Sequence, residues 1–338
     1  MKICQVLAGD EEGGLEKHFV ELCNELVKYD DIYVIAHQKY KTRFDSKVKF
    51  ISMDLSKSRK NPFVLWQLLQ TIKQISPDII HSHANKASSM ISYIRYFLPS
   101  HIKRVASLHS QKKNLSAFET FDYVIGVSKS SLINLNNPNK TAIYNGIDFI
   151  EVSKDRVFID SEFGLKDKFV VTAVGRLEEV KNFALLIDAI KDLDICLMIV
   201  GEGSLESELK EQVNRLDISD KVIFTGYRDD ALKIVANSDL FVISSNKEGL
   251  PYVLIEALLS KVPVVSTDVS DMKYILPKEY IVPIQDKKSL IQVISKVVQN
   301  YDKSLKDFQD SFEFAKDNFT LNSMVQKVID VYKRVKDI

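Results

Sequence analysis

An apolar run, Leu240-Phe241-Val242-Ile243, stops at a polar turn and resumes as an apolar helix from Tyr252 to Leu259. Four apolar residues without polar alternation predict a strand buried on both faces, as in a parallel sheet. Gly249 permits a tight turn, and Pro251 suits the first helical position, where its missing N–H costs nothing. The chain therefore runs strand, turn, helix N-terminus, and the free amides of the first helical turn face the space beyond the strand. That geometry binds anions, phosphate above all. Two carboxylates frame it: Glu248 in the turn and Glu256 about 8 Å along the helix at the usual rise. Glu256 sits among Val, Leu, Ile and Ala, so it is expected to be partly buried and to need a partner. A ribose diol would serve.

The same unit recurs along the chain. Lys2 to Ala8 reads as a first strand, followed by a Gly-rich stretch, Gly9 to His18, and then an amphipathic helix pattern through Leu22, Leu26 and Val27. This is the opening of a doubly wound domain. The loop lacks the G-x-G-x-x-G spacing, so a nicotinamide site is not indicated. Gly13-Gly14 marks a place where backbone approaches something closely, or a plain turn. Strands follow at Ile32–Ala36 and Val48–Met53. Asn61-Pro62 opens a helix carrying Phe63, Leu65, Trp66, Leu68, Leu69 and Ile72. That helix either buries its apolar face in the core or, with basic Lys57–Lys60 before it, seats on a membrane surface. Pro77–His83 and Val105–Ser110 are strands ending in histidines, and ligands bind beyond the carboxyl ends of such strands. His81-Ser82-His83 has no evident third or fourth ligand, so no metal site is expected. Tyr123–Val127 and Phe169–Val174 read as strands, and residues 149–167 as a connection between domains. After Val174, Gly175-Arg176-Leu177 leads to Lys181: Arg176 offers a planar fork for phosphate and Lys181 a mobile charge.

A length of 338 residues fits about two domains. The net charge is zero, which gives no bias toward nucleic acid. Residues 1–155 hold 21 Lys and Arg against 16 Asp and Glu. That excess fits an anionic acceptor or membrane face, and chance placement of solvated charges fits equally well. Cys4, Cys23 and Cys196 lack ligand spacing and read as core thiols of a reducing compartment. No leader-like or membrane-spanning run is present, so a cytoplasmic location, with peripheral contact to the anionic inner membrane face, is expected.

Glu248-Gly249-Leu250-Pro251 with Glu256 resembles the E-x7-E signature of retaining glycosyltransferase family 4. The Gly175–Asn182 segment resembles that family's G-R-L-x-x-x-K-N motif, and Asp78–His83 its D-I-I-H-x-H segment. The resemblance covers nearly the whole chain. It implies an α/β GT-B fold, two Rossmann-like doubly wound domains facing a central cleft. The implied domains are an acceptor-binding domain at 1–155, a nucleotide-sugar domain at 156–318, and a helix at 319–338 crossing back to the first. It implies catalytic roles for Glu248 and His109. Donor binding falls to Gly13, Gly14, Arg176, Lys181, Gly201, Glu202, Tyr227, Arg228, Gly249, Leu250, Pro251, Val253, Leu254 and Glu256. His83 and Lys86 lie on the acceptor side. No cofactor is implied. The partners are a nucleotide-sugar donor, UDP favoured over GDP, and a saccharide or glycolipid acceptor. The implied activity is metal-independent hexosyl transfer in bacterial surface polysaccharide or lipopolysaccharide synthesis. A nucleotide-sugar epimerase and an inactive scaffold subunit are the alternatives.

Overall fold

The structure is a computed structural model that describes residues 1–10, 13–110 and 112–337. Glu11 and Glu12, within the loop singled out above, lie outside the described residues. The chain divides into two compact units, Met1–Asp148 with Thr320–Ile338, and Phe149–Phe319. The first boundary therefore falls earlier than the 155 expected.

The first unit holds seven strands: β1 (Lys2–Leu7), β2 (Asp31–Ala36), β3 (Lys49–Ser52), β4 (Ile79–His83), β5 (Lys103–Leu108), β6 (Tyr123–Gly126) and β7 (Lys140–Ala142). All pair in parallel, in the order β3-β2-β1-β4-β5-β6-β7. Helices α1 (Gly14–Leu26), α2 (Pro62–Ile75) and α3 (Ala84–Ile94) pack on it. Strand residues alternate faces, and both faces are apolar. Cys4, Val6, Ile80 and Ala106 meet Leu68, Met90 and Ile91 on one side. Ile3, Leu7, Ile79 and Val105 meet Phe19 and Leu22 on the other. That second core is completed by the C-terminal helix, Leu321–Lys336, through Val325, Val328 and Tyr332. The chain re-enters this unit beside the Asn145-Gly146 turn. Ile147 bridges Thr320, and Leu321 donates its amide to Ile147 at 2.9 Å. A Cβ on Gly146 would lie 2.3 Å from the Thr320 carbonyl, so the close approach requires glycine.

The second unit holds six parallel strands: β8 (Val170–Val174), β9 (Cys196–Val200), β10 (Val222–Gly226), β11 (Leu240–Ile243), β12 (Val264–Thr267) and β13 (Ile281–Val282). Their order is β10-β9-β8-β11-β12-β13. Its first five helices are α4 (Arg156–Phe163), α5 (Phe183–Ile190), α6 (Glu206–Arg215), α7 (Ala231–Ala236) and α8 (Tyr252–Leu259). The segment expected as a connection thus contains α4. Asp155 caps it by accepting from the Val157 amide, Ile159 is fully buried, and Arg156 pairs with Asp239 at 2.9 Å. One apolar anchor per two turns hid the helix among charged neighbours.

No helix among the described residues is long and apolar enough to cross a membrane. In each sheet the strand order reverses once, between β1 and β4 and between β8 and β11. Loops leaving the carboxyl ends of such strand pairs diverge to opposite faces and open a crevice. Both candidate sites lie there.

Candidate functional site

In the second unit the loops after β8 and β11 meet. Lys181 ends a short 3-10 turn, Glu179–Lys181, and its Nζ lies 2.6 Å from Glu248 Oε1. Both side chains are largely buried. Ser245 Oγ also donates to Glu248 Oε1, at 2.7 Å. Hydrogen bonds to backbone carbonyls fix the two loops together: the Asn246 amide donates to the Val180 carbonyl at 2.8 Å, and the Ser244 hydroxyl to the Lys181 carbonyl at 2.8 Å. Thr267 Oγ1, from β12, holds the Ser245 carbonyl at 2.7 Å. A charged pair held this way is preorganised, because neither partner must be ordered when a ligand arrives.

Glycines bring a third loop close. Gly201 has φ +135°, and a Cβ there would lie 2.1 Å from the Gly175 carbonyl. Gly203 packs against Leu177 backbone, whose amide donates to the Glu202 carbonyl at 2.9 Å. Gly175, at φ +157°, leaves room for the Lys181 stem, which a Cβ would meet at 3.1 Å. Bare backbone and the Lys181 ammonium therefore line one rim, and Arg176 stands exposed on it.

Helix α8 supplies the other rim. Pro251, expected as the first helical residue, is the N-cap instead, with extended ψ 132°. The ring still costs no hydrogen bond, since N-cap amides are outside the helical ladder. Among the predicted donor residues, Leu250 and Leu254 are buried, Gly249 is exposed, and Val253 and Glu256 are partly exposed. Leu250 and Leu254 belong to the packing that fixes the helix. Tyr227 is 71% exposed, and its amide donates to Glu202 Oε1 at 3.2 Å. Arg228 is tied elsewhere: its guanidinium holds Asp230 at 2.7 Å and, from α4, Glu162 at 2.7 Å. Those carboxylates keep it charged and turn it to α4, a tie invisible until α4 is recognised as a helix.

In the first unit, β1, β4 and β5 end level, with Leu7 opposite His83 and His83 opposite Ser107. His81 and His83 are two apart on one strand and so share a face, ring centroids 4.2 Å apart. A hydrogen-bond chain orders them. His83 Nε2 donates to Gln5 Oε1 at 2.8 Å, and Gln5 Nε2 to Tyr332 Oη at 2.8 Å. Tyr332 then donates to His81 Nδ1 at 2.6 Å, and His81 Nε2 to Ser107 Oγ at 2.8 Å. His18, on α1, and His109, after β5, complete the group; their rings are 5.0 Å apart. Sequence reasoning singled out His83 and His109 but not His18, which stood at the end of the Gly-rich stretch before the expected helix and lies instead within α1. The expectation that His83 lacks neighbouring ligand residues does not hold.

Burial keeps these rings neutral. It lowers His18 to about 4 and, aided by the His18 charge, His81 to about 3. His83 and His109 fall well below the ordinary range for the same first cause, then through the other histidines. Ala84, directly after His83, holds a left-handed φ of +62°, local strain of the kind found at binding sites. Lys86 donates to the Ser56 carbonyl. Gly13 caps α1 with φ 170°, extended backbone open to any residue, and among the described residues a Cβ would meet Glu16 Oε2 alone, at 3.4 Å. The fold itself does not demand that glycine.

Comparison with known proteins gives these crevices a context. The family model for glycosyl transferases group 1 matches residues 155–311, and that for glycosyltransferase family 4 matches residues 12–149. Over 155 residues the chain is 37% identical to the Campylobacter jejuni N-acetylgalactosamine-N,N'-diacetylbacillosaminyl-diphospho-undecaprenol 4-alpha-N-acetylgalactosaminyltransferase. That match spans 44% of this chain and 41% of the relative. The Escherichia coli UDP-Gal:alpha-D-GlcNAc-diphosphoundecaprenol alpha-1,3-galactosyltransferase is 24% identical, over 83% of this chain and 81% of that protein. The crystal structure of Anabaena Alr3699/HepE in complex with UDP superposes with TM-score 0.85 at 19% identity, covering 99% and 100% of the two chains. Two consecutive family matches spanning most of the chain, on two parallel sheets each with one reversal of strand order, make this protein a member of glycosyltransferase family 4 with the GT-B fold.

Proposed function

We propose that the protein is a metal-independent, retaining glycosyltransferase moving a hexosyl-type sugar from a nucleotide-diphosphate donor, UDP-linked in preference to GDP-linked. The acceptor is a glycan or lipid-linked saccharide of bacterial surface polysaccharide or lipopolysaccharide assembly. The observation that carries this reading is the Lys181–Glu248 pair at the strand-order reversal of the second unit. A departing nucleoside diphosphate needs positive charge; Lys181, Arg176 and the amides at the start of α8 supply it without a metal. Glu248 then supports the sugar as positive charge develops on it, and Glu256 holds the ribose. His109 serves the reacting sugar. The pathway and the UDP preference draw on the relatives: both compared transferases are named for diphospho-undecaprenol substrates, and the Anabaena protein binds UDP.

A thermal-shift panel of UDP-, GDP- and ADP-sugars in EDTA tests the donor. A UDP-sugar at a hundred times its Kd is expected to stabilise the protein by about 2.7 kcal/mol. A shift that needs divalent metal, or none from any member, counts against the reading.

Contact with an anionic membrane is a further part of the proposal. Helix α2 buries Val64, Leu68 and Ile72 yet leaves Phe63 and Trp66, 63% and 58% exposed, stacked on the surface beside the basic Lys57–Lys60 segment. Trp66 is the only tryptophan, so its emission reports the contact. Phosphatidylglycerol vesicles are expected to shift that emission to the blue. Phe63→Ser is expected to weaken binding about tenfold or more, from lost apolar burial. Unchanged emission at low salt would exclude this face.

A further inference from the structure

Three imidazoles in the first unit share an unsolved hydrogen-bonding problem. His18 Nδ1, His83 Nδ1 and His109 Nε2 are each buried without a partner among the described residues. One ring nitrogen from each histidine lies within 4.8 Å of the other two. A buried polar atom left unpaired loses its hydration without replacement, and folded proteins rarely keep several together. One ligand that accepts all three lone pairs would satisfy them at once.

We propose that His18, His83 and His109 form a binding site for a divalent transition-metal ion of the zinc class. Imidazole nitrogens suit zinc, nickel and copper, whereas magnesium and calcium take oxygen. The tautomer of His83 is already set. Its Nε2 hydrogen is committed to Gln5 Oε1 at 2.8 Å, which leaves the Nδ1 lone pair free. This is the outer-shell bond that commonly orients a metal-ligating histidine. Gln5 is itself fixed by Tyr332, so the ring cannot turn away without breaking that chain. Three histidines with a fourth position open make an ion that exchanges ligands rather than a sealed structural site. His18 and His83 are buried while His109 is partly exposed, which puts the open side at His109. A tetrahedral ion with bonds of about 2.0–2.1 Å wants nitrogens about 3.4 Å apart, so nitrogens within 4.8 Å must close by up to about 1.4 Å. The site is separate from Lys181 and Glu248. It adds no metal to the proposed transfer. It takes the His109 imidazole away from the sugar, so occupancy inhibits.

The test uses full-length protein stripped with a chelator and titrated with zinc chloride by calorimetry. One ion per chain is expected. His18→Ala is expected to weaken binding at least about a hundredfold, and Gln5→Leu about tenfold, the usual cost of an outer-shell loss. His101→Ala, an exposed histidine elsewhere, leaves it unchanged. His83→Ala empties a fully buried position and risks unfolding. Cobalt(II) therefore supplies a readout on the unmodified protein: intense visible d–d absorption of a tetrahedral site, absent in His18→Ala. Absence of saturable binding, or equal affinity in His18→Ala, overturns the site. Inhibition of transfer by zinc, reversed by EDTA, rests on the role given to His109. Calorimetry and cobalt absorption do not, so the metal site and the transferase reading fail separately.

Discussion

Lys181→Ala is expected to lower kcat by at least about a hundredfold, about 2.7 kcal/mol of transition-state stabilisation. The Lys181 ammonium is held 2.6 Å from Glu248 at the mouth of the second sheet. Ground-state diphosphate already carries full charge, and more develops on the bridging oxygen as the sugar departs. A fixed cation in a largely buried pocket acts on that increment with little screening. Alanine also leaves Glu248 hydrogen-bonded to Ser245 without its cation, so a second variant separates the effects. Glu248→Gln keeps an oxygen that Ser245 can still hold but removes the charge facing the sugar. It is expected to lower kcat by a similar factor and leave the UDP-induced thermal shift nearly intact, since Lys181 remains. Lys181→Ala should weaken both. Near wild-type turnover in either variant would end the assignment of this pair to the transfer step.

The second large effect is acid instability confined to the first unit, measured on chelator-treated protein. The histidines at the ends of β4 and β5 and on α1 are buried neutral, so their folded pKa values lie below the unfolded value near 6.5. Stability from such groups is complete above the unfolded pKa and is lost as pH falls toward the folded one. For His18 the window runs from pH 6.5 to about 4, and for His81 to about 3. Each site contributes a slope of about 1.4 kcal/mol per pH unit, so these two alone give a slope of about 3 kcal/mol per pH unit across their common window. His83 and His109 add in the same direction. Against a typical total stability of about 5–15 kcal/mol, the loss is decisive within a few pH units. Hydrogen exchange should show residues 79–108 losing protection between pH 7 and 5 while 170–200 keep theirs. Equal loss in both segments would mean that ordinary carboxylate titration, not the imidazole group, sets the acid limit.

Much of this molecule is legible from its sequence because parallel sheets write themselves locally. A strand buried on both faces needs a short run of Val, Ile and Leu, and the turn after it needs glycine or a polar cap. Ile243 followed by the Glu248–Pro251 turn, and Val174 followed by Gly175, located two loops at strand ends with no coordinates. Their charges, Arg176, Lys181 and Glu248, were visible as residues for the same reason. Helix α4 was not, because its burial rests on Ile159 and a side-chain pairing with Asp239, which lies far along the chain.

Local pattern thus determined the strands, the loops at their carboxyl ends and the types of charge those loops carry. Tertiary structure alone decided which charges meet. Lys181 reaches Glu248 because the strand order reverses between β8 and β11; Arg228 is drawn to Glu162 because α4 packs beside it. The histidine group shows the same division. His18, His83 and His109 come from a helix, the end of β4 and the loop just after β5, and only the parallel register of β4 against β1 and β5 sets those strand ends level. Register is a property of paired strands. A single strand carries its period of two but not its offset from a neighbour, so no reading of one chain segment contains it.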